Sequence, residues 1–279
     1  PPPPAAGDPT TCAAAGGGRV PAVTVAGRGL RVGDDPLFLK GVAWSPYPVG
    51  SAGPSGGAPL FAEYTEEDTG LMRAAGINVV RTYFRILDTT VLDALWAKGI
   101  YVLMTVYYDS LYHTVQRAVD AVCAVRSHPA VLMWMVTNEP NYAYGGDDLV
   151  ADVRAVVDAI HSADPTRPVS VAWGEMPTRD IVESLPAVDV WSANIYRGRT
   201  FGDISSEWAA ISDKPFFLSE WGADSYSSVV GAEDQQTHAQ EVLGLANELA
   251  RSAQIDGGGA LLGGVYFSLR DEWWKRAGG

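Results

Sequence analysis

The sequence predicts a (β/α)8 barrel, or TIM barrel, built as a single domain. Eight apolar, strand-like runs alternate with amphipathic runs of helical spacing along a chain of 279 residues. The strand-like runs are continuously apolar, which is typical of parallel strands buried on both faces. Helix-stopping glycines such as Gly76 and Gly99 stand directly before strand-like runs, as expected where a helix ends and the chain returns to a sheet.

The predicted elements follow one another in regular β–α order. The strands are expected at 37–43, 77–82, 101–106, 131–137, 168–173, 188–195, 215–219 and 264–269. The helices are expected at 66–75, 89–98, 114–126, 147–163, 178–184, 205–211 and 234–253. Only ten residues follow Leu269, so the eighth helix is short or missing. Either the chain is truncated there or the N-terminal arm covers the gap.

The N-terminal part is predicted to differ from the barrel. Residues 1–21, rich in Pro, Ala and Gly, form a flexible arm, and residues 22–279 form the catalytic barrel. A short hairpin, 22–25 with 30–32, is expected to plug the barrel floor. A doubly wound sheet is the alternative architecture, but it favours a Gly-rich phosphate loop after an early strand, and none has the needed spacing.

Composition limits the partners. The net charge of −13 argues against a nucleic-acid-binding surface, which needs clustered Lys and Arg, and no uncharged apolar run is long enough to predict a membrane span.

Cys12 and Cys123 have no metal-like spacing. They either stay apart or form one disulfide, which would favour an oxidising compartment. The first residues lack a signal-peptide pattern and an initiating Met. We therefore expect that the sequence starts at the processed end of a secreted or extracytoplasmic chain. We also expect the protein to be a monomer.

Two glutamates carry the predicted chemistry. Glu139 follows the fourth predicted strand and Glu220 the seventh. In a barrel the catalytic groups lie at the C-terminal ends of strands. Two carboxylates that face each other there provide acid/base and nucleophilic catalysis of glycosidic bond cleavage. The structural alternatives are that Glu139 supports a helix start capped by Asn138, and that Glu220 is an ion-pair partner of Arg81.

Other polar and aromatic residues are expected at the same rim. Sugar recognition needs hydrogen-bonding groups, a fixed cation and stacking rings, and the strand ends supply all three. The candidate substrate-binding residues are Trp44, Arg81, Tyr83, Tyr108, Asp109, Asn138, Glu175, Tyr196 and Trp273. The four histidines fall in or beside helices, so neither a metal nor a cofactor is predicted. No lysine stands at a strand end to form a Schiff base, which disfavours a lyase or aldolase.

The order of these residues resembles clan A of the glycoside hydrolases. The clan ends strand four in Asn-Glu, matched by Asn138 and Glu139, and strand seven in the nucleophile, matched by Glu220. Arg81 in Ile-Asn-Val-Val-Arg and Tyr196 in Ala-Asn-Ile-Tyr complete the set. The resemblance covers residues 37–274.

Within the clan the chain is similar to two families. Phe-Leu-Lys-Gly-Val-Ala-Trp and Pro-Phe-Phe-Leu-Ser-Glu-Trp-Gly resemble the fungal β-1,3-glucanosyltransferases of family 72. Asp-Glu-Trp-Trp-Lys at 271–275 resembles the barrel domain of family 2. The cysteine-rich pattern of the fungal transferases is absent.

The resemblance implies a retaining glycoside hydrolase that acts on an oligo- or polysaccharide, with β-linked glucan, and β-1,3-glucan in particular, as the expected substrate. Glu139 would be the acid/base and Glu220 the nucleophile. Arg81 would help to hold Glu220 ionised, and Tyr196 would orient it. Asn138 would contact the sugar 2-hydroxyl, with Trp44 and Trp273 as the stacking floor. A transglycosylase with the same residues and an inactive glycan-binding barrel are the alternatives.

Overall fold

Eight parallel strands close into one barrel. The computed structural model describes Cys12 and residues 20–107, 114–143, 149–255 and 259–275. Each strand pairs with its sequence neighbours in the barrel, and the last pairs with the first. The strands are β1 Leu39–Ala43, β2 Val79–Thr82, β3 Tyr101–Tyr107, β4 Val131–Val136, β5 Val169–Gly174, β6 Val190–Asn194, β7 Phe216–Trp221 and β8 Leu261–Tyr266. The predicted (β/α)8 barrel is confirmed.

Helices follow the first seven strands. They are α1 Phe61–Ala74, α2 Thr89–Ala97, α3 Val115–Val125, α4 Leu149–Ala163, α5 Arg179–Ser184, α6 Ile204–Ile211 and α7 Gln235–Arg251, with one helical turn at Pro140–Ala143 before α4. No helix follows β8 in the described residues up to 275, as predicted. None of the helices in the described ranges combines the length and apolar composition needed to cross a bilayer.

The start of α1 was predicted five residues too late. The helix begins at Phe61, and its N-cap residue, Leu60, makes no side-chain capping hydrogen bond. Because a polar cap is the usual sequence signal for a helix start, this boundary has no such signal.

Two apolar layers hold the barrel together. The interior is filled by strand side chains such as Leu103, Met133 and Phe217. A larger layer lies between the strands and the surrounding helices, and includes Trp134 and Trp191. Burial of both strand faces explains why the strands are continuously apolar in sequence.

A hairpin closes the barrel floor. Val23–Ala26 pairs antiparallel with Gly29–Val32, and Asp35–Pro36 adds a third short strand. Leu30 from this hairpin is 1 % exposed and belongs to the apolar cluster of the barrel interior. The hairpin predicted as a floor plug is therefore present.

The eighth strand lies three residues earlier than predicted. The sequence Gly263-Gly264 is typical of a turn, yet both glycines lie inside β8. Gly263 has φ +116°, and a Cβ there would lie within 2.9 Å of three backbone atoms of Leu39. The glycine thus permits close approach to β1, which composition does not distinguish from a turn.

A disulfide ties the N-terminal arm to the barrel. Cys12 and Cys123 are bonded, with Cα atoms 5.2 Å apart and a sequence separation of 111 residues. Cys123 lies on α3, so the bond anchors the arm to the outer helical layer. The other residues of the arm up to 19 lie outside the described residues.

Candidate active site

The two glutamates lie at the same end of the barrel. Glu220 is the second-to-last residue of β7, and Glu139 comes three residues after the end of β4. Thr137 and Glu139 have φ values of +66° and +52°, which are uncommon for residues other than glycine. The backbone N–H of Glu139 donates to the Ala172 carbonyl at 2.9 Å. This bond to β5 fixes the sharp turn that presents Glu139 at the rim.

Three donors converge on the Glu220 carboxylate. Arg81 Nη1 lies 2.9 Å and the Tyr83 hydroxyl 2.6 Å from Oε1, while the Tyr196 hydroxyl lies 3.0 Å from Oε2. Arg81 is fully buried and Glu220 is 7 % exposed. Charge-assisted hydrogen bonds in such a dry setting orient the carboxylate strongly.

Asn194 connects the two glutamates. Its Nδ2 donates to Glu139 Oε1 at 3.0 Å, and its Oδ1 accepts from Arg81 Nη1 at 3.1 Å. Asn138 Oδ1 accepts from Arg81 Nη2 at 2.6 Å and from Asn194 Nδ2 at 3.2 Å. The side chains of β2, β4, β6 and β7 therefore form one continuous network.

Both tyrosines remain hydroxyl donors at neutral pH. Burial raises the pKa of Tyr83 well above its ordinary value, with Arg81 opposing the shift and Glu220 adding to it. Burial, followed by the charge of Glu220 and the hydrogen bond to it, also raises the pKa of Tyr196. Neither phenol can therefore lose its proton in the pH range where most enzymes work.

A cleft of about 730 Å³ opens above the network. Its size suits a small ligand such as one or two sugar rings. It is lined by Ser45, Tyr47, Pro54, Ser55, Tyr83, Phe84, Asn138, Glu139, Glu220, Phe267, Glu272, Trp274 and Lys275.

Trp44 was wrongly predicted as a stacking residue. The ring is fully buried, packs against Phe61 at 4.9 Å between centroids, and donates from Nε1 to the buried Asp68 at 2.7 Å. A ring without an open face cannot stack on a sugar. Because Trp44 directly follows β1, sequence placed it at the rim without revealing that its side chain turns outward, under α1.

The aromatic wall is formed by Trp274 rather than Trp273. Trp274 lines the cleft, lies 4.7 Å from Tyr47 between ring centroids, and covers Gly53, where a Cβ would collide with its ring. Trp273 is 52 % exposed and is not among the lining residues. Adjacent residues in a turn point in different directions, which sequence does not resolve.

Glu175 is engaged in an ion-pair network on the rim. Its Oε1 accepts from Arg197 Nη2 at 2.5 Å, and Arg197 also binds Glu207 at 2.8 Å. Burial alone would raise the pKa of Glu175, but hydrogen bonds from Arg197 and the Met176 N–H lower it below its ordinary value. The remaining two predicted residues, Tyr108 and Asp109, lie outside the described residues.

The candidate residues predicted from sequence omit several residues of the site. Asn194 carried a signal, because it stands in the same Ala-Asn-Ile-Tyr run that identified Tyr196. Phe267 stands past β8 in a run that was taken for the strand itself. Glu272 and Lys275 belong to a charged C-terminal run, and only the tertiary structure shows that their side chains line the cleft.

Glu272 and Lys275 form a charged pair on the cleft wall. They are in direct contact, and Lys275 Nζ also lies 4.9 Å from the centre of the Phe267 ring. Burial raises the pKa of Glu272 above its ordinary value, Lys275 opposes this shift, and the charge of Glu220 adds to it. The cleft thus holds a third carboxylate within electrostatic reach of Glu220.

Comparison with protein families gives a match over half of the chain. The family model "Glycosyl hydrolases family 2, TIM barrel domain" matches residues 101–243. Among curated proteins, Beta-glucuronidase of Sus scrofa is 27% identical over 187 residues, which cover 57% of this chain and 27% of the relative. Beta-glucuronidase of Streptococcus agalactiae serotype V is 32% identical over 115 residues, covering 36% of this chain and 19% of the relative.

Solved structures share the fold. The β-glucuronidase from Ruminococcus gnavus in complex with D-glucaro-d-lactam has a TM-score of 0.70 at 17% identity, over 89% of this chain and 46% of that one. A GH2 β-galacturonidase from Eisenbergiella tayi bound to galacturonate has a TM-score of 0.67 at 19% identity, over the same shares. This chain spans about a quarter of the length of the Sus scrofa relative and under half of these structures. Of the two families that the sequence resembles, the match is to family 2, which corrects the likeness to family 72.

Proposed function

This chain belongs to the family 2 glycosyl hydrolases through their TIM barrel domain, and on that basis we propose that it hydrolyses β-linked glycosides with retention of configuration. The observation that carries the proposal is the network at the rim. Arg81 and two tyrosines hold Glu220, and Asn194 links this cluster to Glu139. A structural ion pair alone would not need a second carboxylate on the same open cleft.

Glu220 is the proposed nucleophile. Among the described residues, Oε1 receives two donors, Arg81 and Tyr83, and Oε2 receives one, the hydroxyl of the half-exposed Tyr196. Oε2, which has fewer donors, is therefore suited to attack the anomeric carbon. Oε1 would keep its two donors in the covalent ester that results.

Glu139 is the proposed acid/base. As Glu220 attacks, Glu139 donates its proton to the glycosidic oxygen and the leaving group departs as an alcohol. Glu139, now ionised, takes a proton from water, and the resulting nucleophilic oxygen displaces Glu220 from the anomeric carbon. In the described residues its side chain accepts one hydrogen bond, from Asn194, so proton exchange disturbs few contacts.

We propose a β-glucuronide as the substrate, in place of the β-glucan expected from sequence. The curated relatives named above are β-glucuronidases, and they lend no support to a β-glucan. In the structure, Lys275 is a cation on the cleft wall whose side chain is 61% exposed. A uronate carboxylate could take the place of Glu272 as its partner, at little desolvation cost.

A panel of 4-nitrophenyl β-glycosides tests this proposal. Glucuronide, galacturonide and glucoside are offered to the wild type and to Glu220→Gln, together with β-1,3-glucan oligosaccharides. Glucuronide turnover with a β-configured first product by proton NMR, lost by at least a thousandfold in the variant, is expected. Turnover of the variant at the wild-type rate would remove Glu220 as the nucleophile.

The alternatives give different products in the same panel. Products longer than the substrate would move the activity to transglycosylation, in which an acceptor sugar replaces water. Binding without turnover of any glycoside would indicate an inactive glycan-binding barrel. Preferred cleavage of the glucan oligosaccharides would indicate that the substrate is a β-glucan, as expected from sequence.

Lys275→Gln tests the substrate independently of the chemistry. Loss of an ion pair with a uronate should lower kcat/KM for the glucuronide by about tenfold, corresponding to about 1.4 kcal/mol. The glucoside has no carboxylate and should be unaffected. Equal losses for both substrates would assign Lys275 to the cleft structure instead.

We also propose an oxidising, extracytoplasmic location. The support is the Cys12–Cys123 bond, because disulfides persist mainly in oxidising compartments. Thiol alkylation of the protein from its native source, followed by mass spectrometry, should find both cysteines blocked. Two alkylated thiols would place the protein in a reducing compartment.

A further inference from the structure

Tyr142 lies beside the proposed acid/base. It is on the helical turn that directly follows Glu139, and its backbone N–H donates to the Glu139 carbonyl at 3.0 Å. The ring is nevertheless 67% exposed and lies outside the set of residues that line the cleft around Glu220. The ring thus lies outside that cleft, against the end of β5 and within electrostatic reach of Glu139.

The backbone is built to hold this ring. A Cβ on residue 174 would lie within 2.9 Å of three atoms of the Tyr142 ring, so only glycine leaves room for the ring against the end of β5. Asn141 reinforces the contact, because its side chain accepts from the Gly174 N–H at 2.7 Å and donates to the Gly174 carbonyl at 2.6 Å. The ring is therefore backed on one side by the backbone of Gly174.

Two carboxylates lie within electrostatic reach of the Tyr142 hydroxyl. Burial raises its pKa, and the charges of Glu139 and Glu175 add to the shift. Glu175 itself has φ +67° and is held by Arg197. The ring thus stands between the acid/base and an ordered polar group that can accept hydrogen bonds from hydroxyls.

We propose that Tyr142, backed by Gly174, binds the ring of the leaving group. Glu139 delivers its proton to the glycosidic oxygen, so the group that this oxygen carries must lie close to Glu139, as Tyr142 does. The ligand class is a ring with an apolar face, either a pyranose or an aryl group. This inference rests on the proposed function, because it presupposes that Glu139 is the acid.

Leaving groups with and without a ring test the inference. The glycon is one that the wild type hydrolyses, and the leaving groups are 4-nitrophenol, 2,4-dinitrophenol and fluoride. Tyr142→Ala should lower kcat/KM for both aryl glycosides by about three- to tenfold, the typical worth of an aromatic stacking contact. The glycosyl fluoride has no ring and should be hydrolysed as by the wild type.

The dinitrophenyl substrate separates weaker binding of the leaving group from a misplaced Glu139. Its leaving group departs without a proton, so a defect in Glu139 alone would spare it. A loss confined to the 4-nitrophenyl substrate would therefore overturn the inference, as would an equal loss for the fluoride. Gly174→Ala, whose new methyl group would displace the ring, should reproduce the selective loss.

Two controls and one natural substrate complete the experiment. Tyr142→Phe keeps the ring, and Tyr226→Ala removes another exposed tyrosine, 53% exposed in a hairpin after β7; both should match the wild type. A disaccharide that loses activity to the same extent indicates a sugar leaving group, and one that is spared indicates an aryl group.

The proposed function and the inference about Tyr142 are refuted by different outcomes. A wild type that hydrolyses none of these substrates would refute the proposed function and the inference with it. A wild type that is active and indistinguishable from Tyr142→Ala would refute the inference alone. Thermal unfolding of each variant shows whether any loss reflects the fold instead.

Discussion

Replacing Asn194 by Asp gives a test of the network that joins the two glutamates. The substitution keeps the shape of the side chain but removes the donor to Glu139 and places a negative charge near its Oε1, at a separation of 3.0 Å in the native structure. Glu139 must be protonated when it acts as the acid. A second carboxylate favours that protonated form, so the alkaline limb of the kcat/KM profile should move to higher pH.

The size of the shift follows from the distance. Two unit charges 3.0 Å apart repel by roughly 5–6 kcal/mol at an effective dielectric constant of about 20. Arg81, which contacts Asn194 at 3.1 Å, and the solvent around Glu139 offset most of this energy. About 1–3 kcal/mol should remain, which moves the limb by about one to two pH units.

The assay is the pH dependence of kcat/KM, which reports ionisations of the free enzyme. Asn194→Ala is the control without added charge, since it also removes the donor to Glu139, together with the acceptor that serves Arg81 and Ser219. Both variants should lose at least about tenfold in kcat/KM at the optimum, because both lack the donor to Glu139, and Asn194→Ala also takes an acceptor from Arg81 and Ser219. An alkaline limb that stays in place in Asn194→Asp, or moves equally in both variants, would refute the reasoning.

Two further predictions concern stability. Cys123→Ser opens a disulfide that spans 111 residues and should lower the free energy of unfolding by about 4–5 kcal/mol on the chain-entropy account, measured by denaturant titration with and without reductant. Activity at low temperature should persist, and a stability unchanged from the wild type would contradict the anchoring of the arm. Gly263→Ala should cost about 2 kcal/mol or more, because a Cβ there meets the Leu39 backbone. Gly244→Ala on α7, where a Cβ meets nothing within 4 Å, should be neutral or stabilising in the same titration.

Elements with strong local signals were predictable. The alternation of continuously apolar runs with amphipathic ones specifies the barrel, because a parallel strand covered by helices can bury both faces only if nearly every residue is apolar. Glu139 and Glu220 followed from the rule that strand ends of a barrel form its open rim. The local pattern of apolar residues therefore encodes both the fold and the position of the two carboxylates at the open rim of the barrel.

Elements that depend on contacts distant in sequence were not predictable. Gly263 is a residue type common in turns, and its place inside β8 depends on how closely β1 approaches. Trp44 and Trp274 are both tryptophans near strand ends, yet one is buried under α1 and the other lines the cleft. Side-chain direction at the end of a strand is set by the neighbouring loops, which the sequence pattern does not specify.

The sequence by itself determined the barrel and the two glutamates at its rim, because each depends on periodicity or on position relative to a strand, and the resemblance to clan A added Arg81 and Tyr196 as neighbours of Glu220. Only the tertiary structure decided that Asn194 joins the two carboxylates and that Glu272 and Lys275 pair on the cleft wall. It also decided that Cys12 reaches Cys123. The Asn194 contact and the disulfide join parts of the chain that are distant in sequence, and the Glu272–Lys275 pair takes its place on the cleft wall only once the barrel has closed.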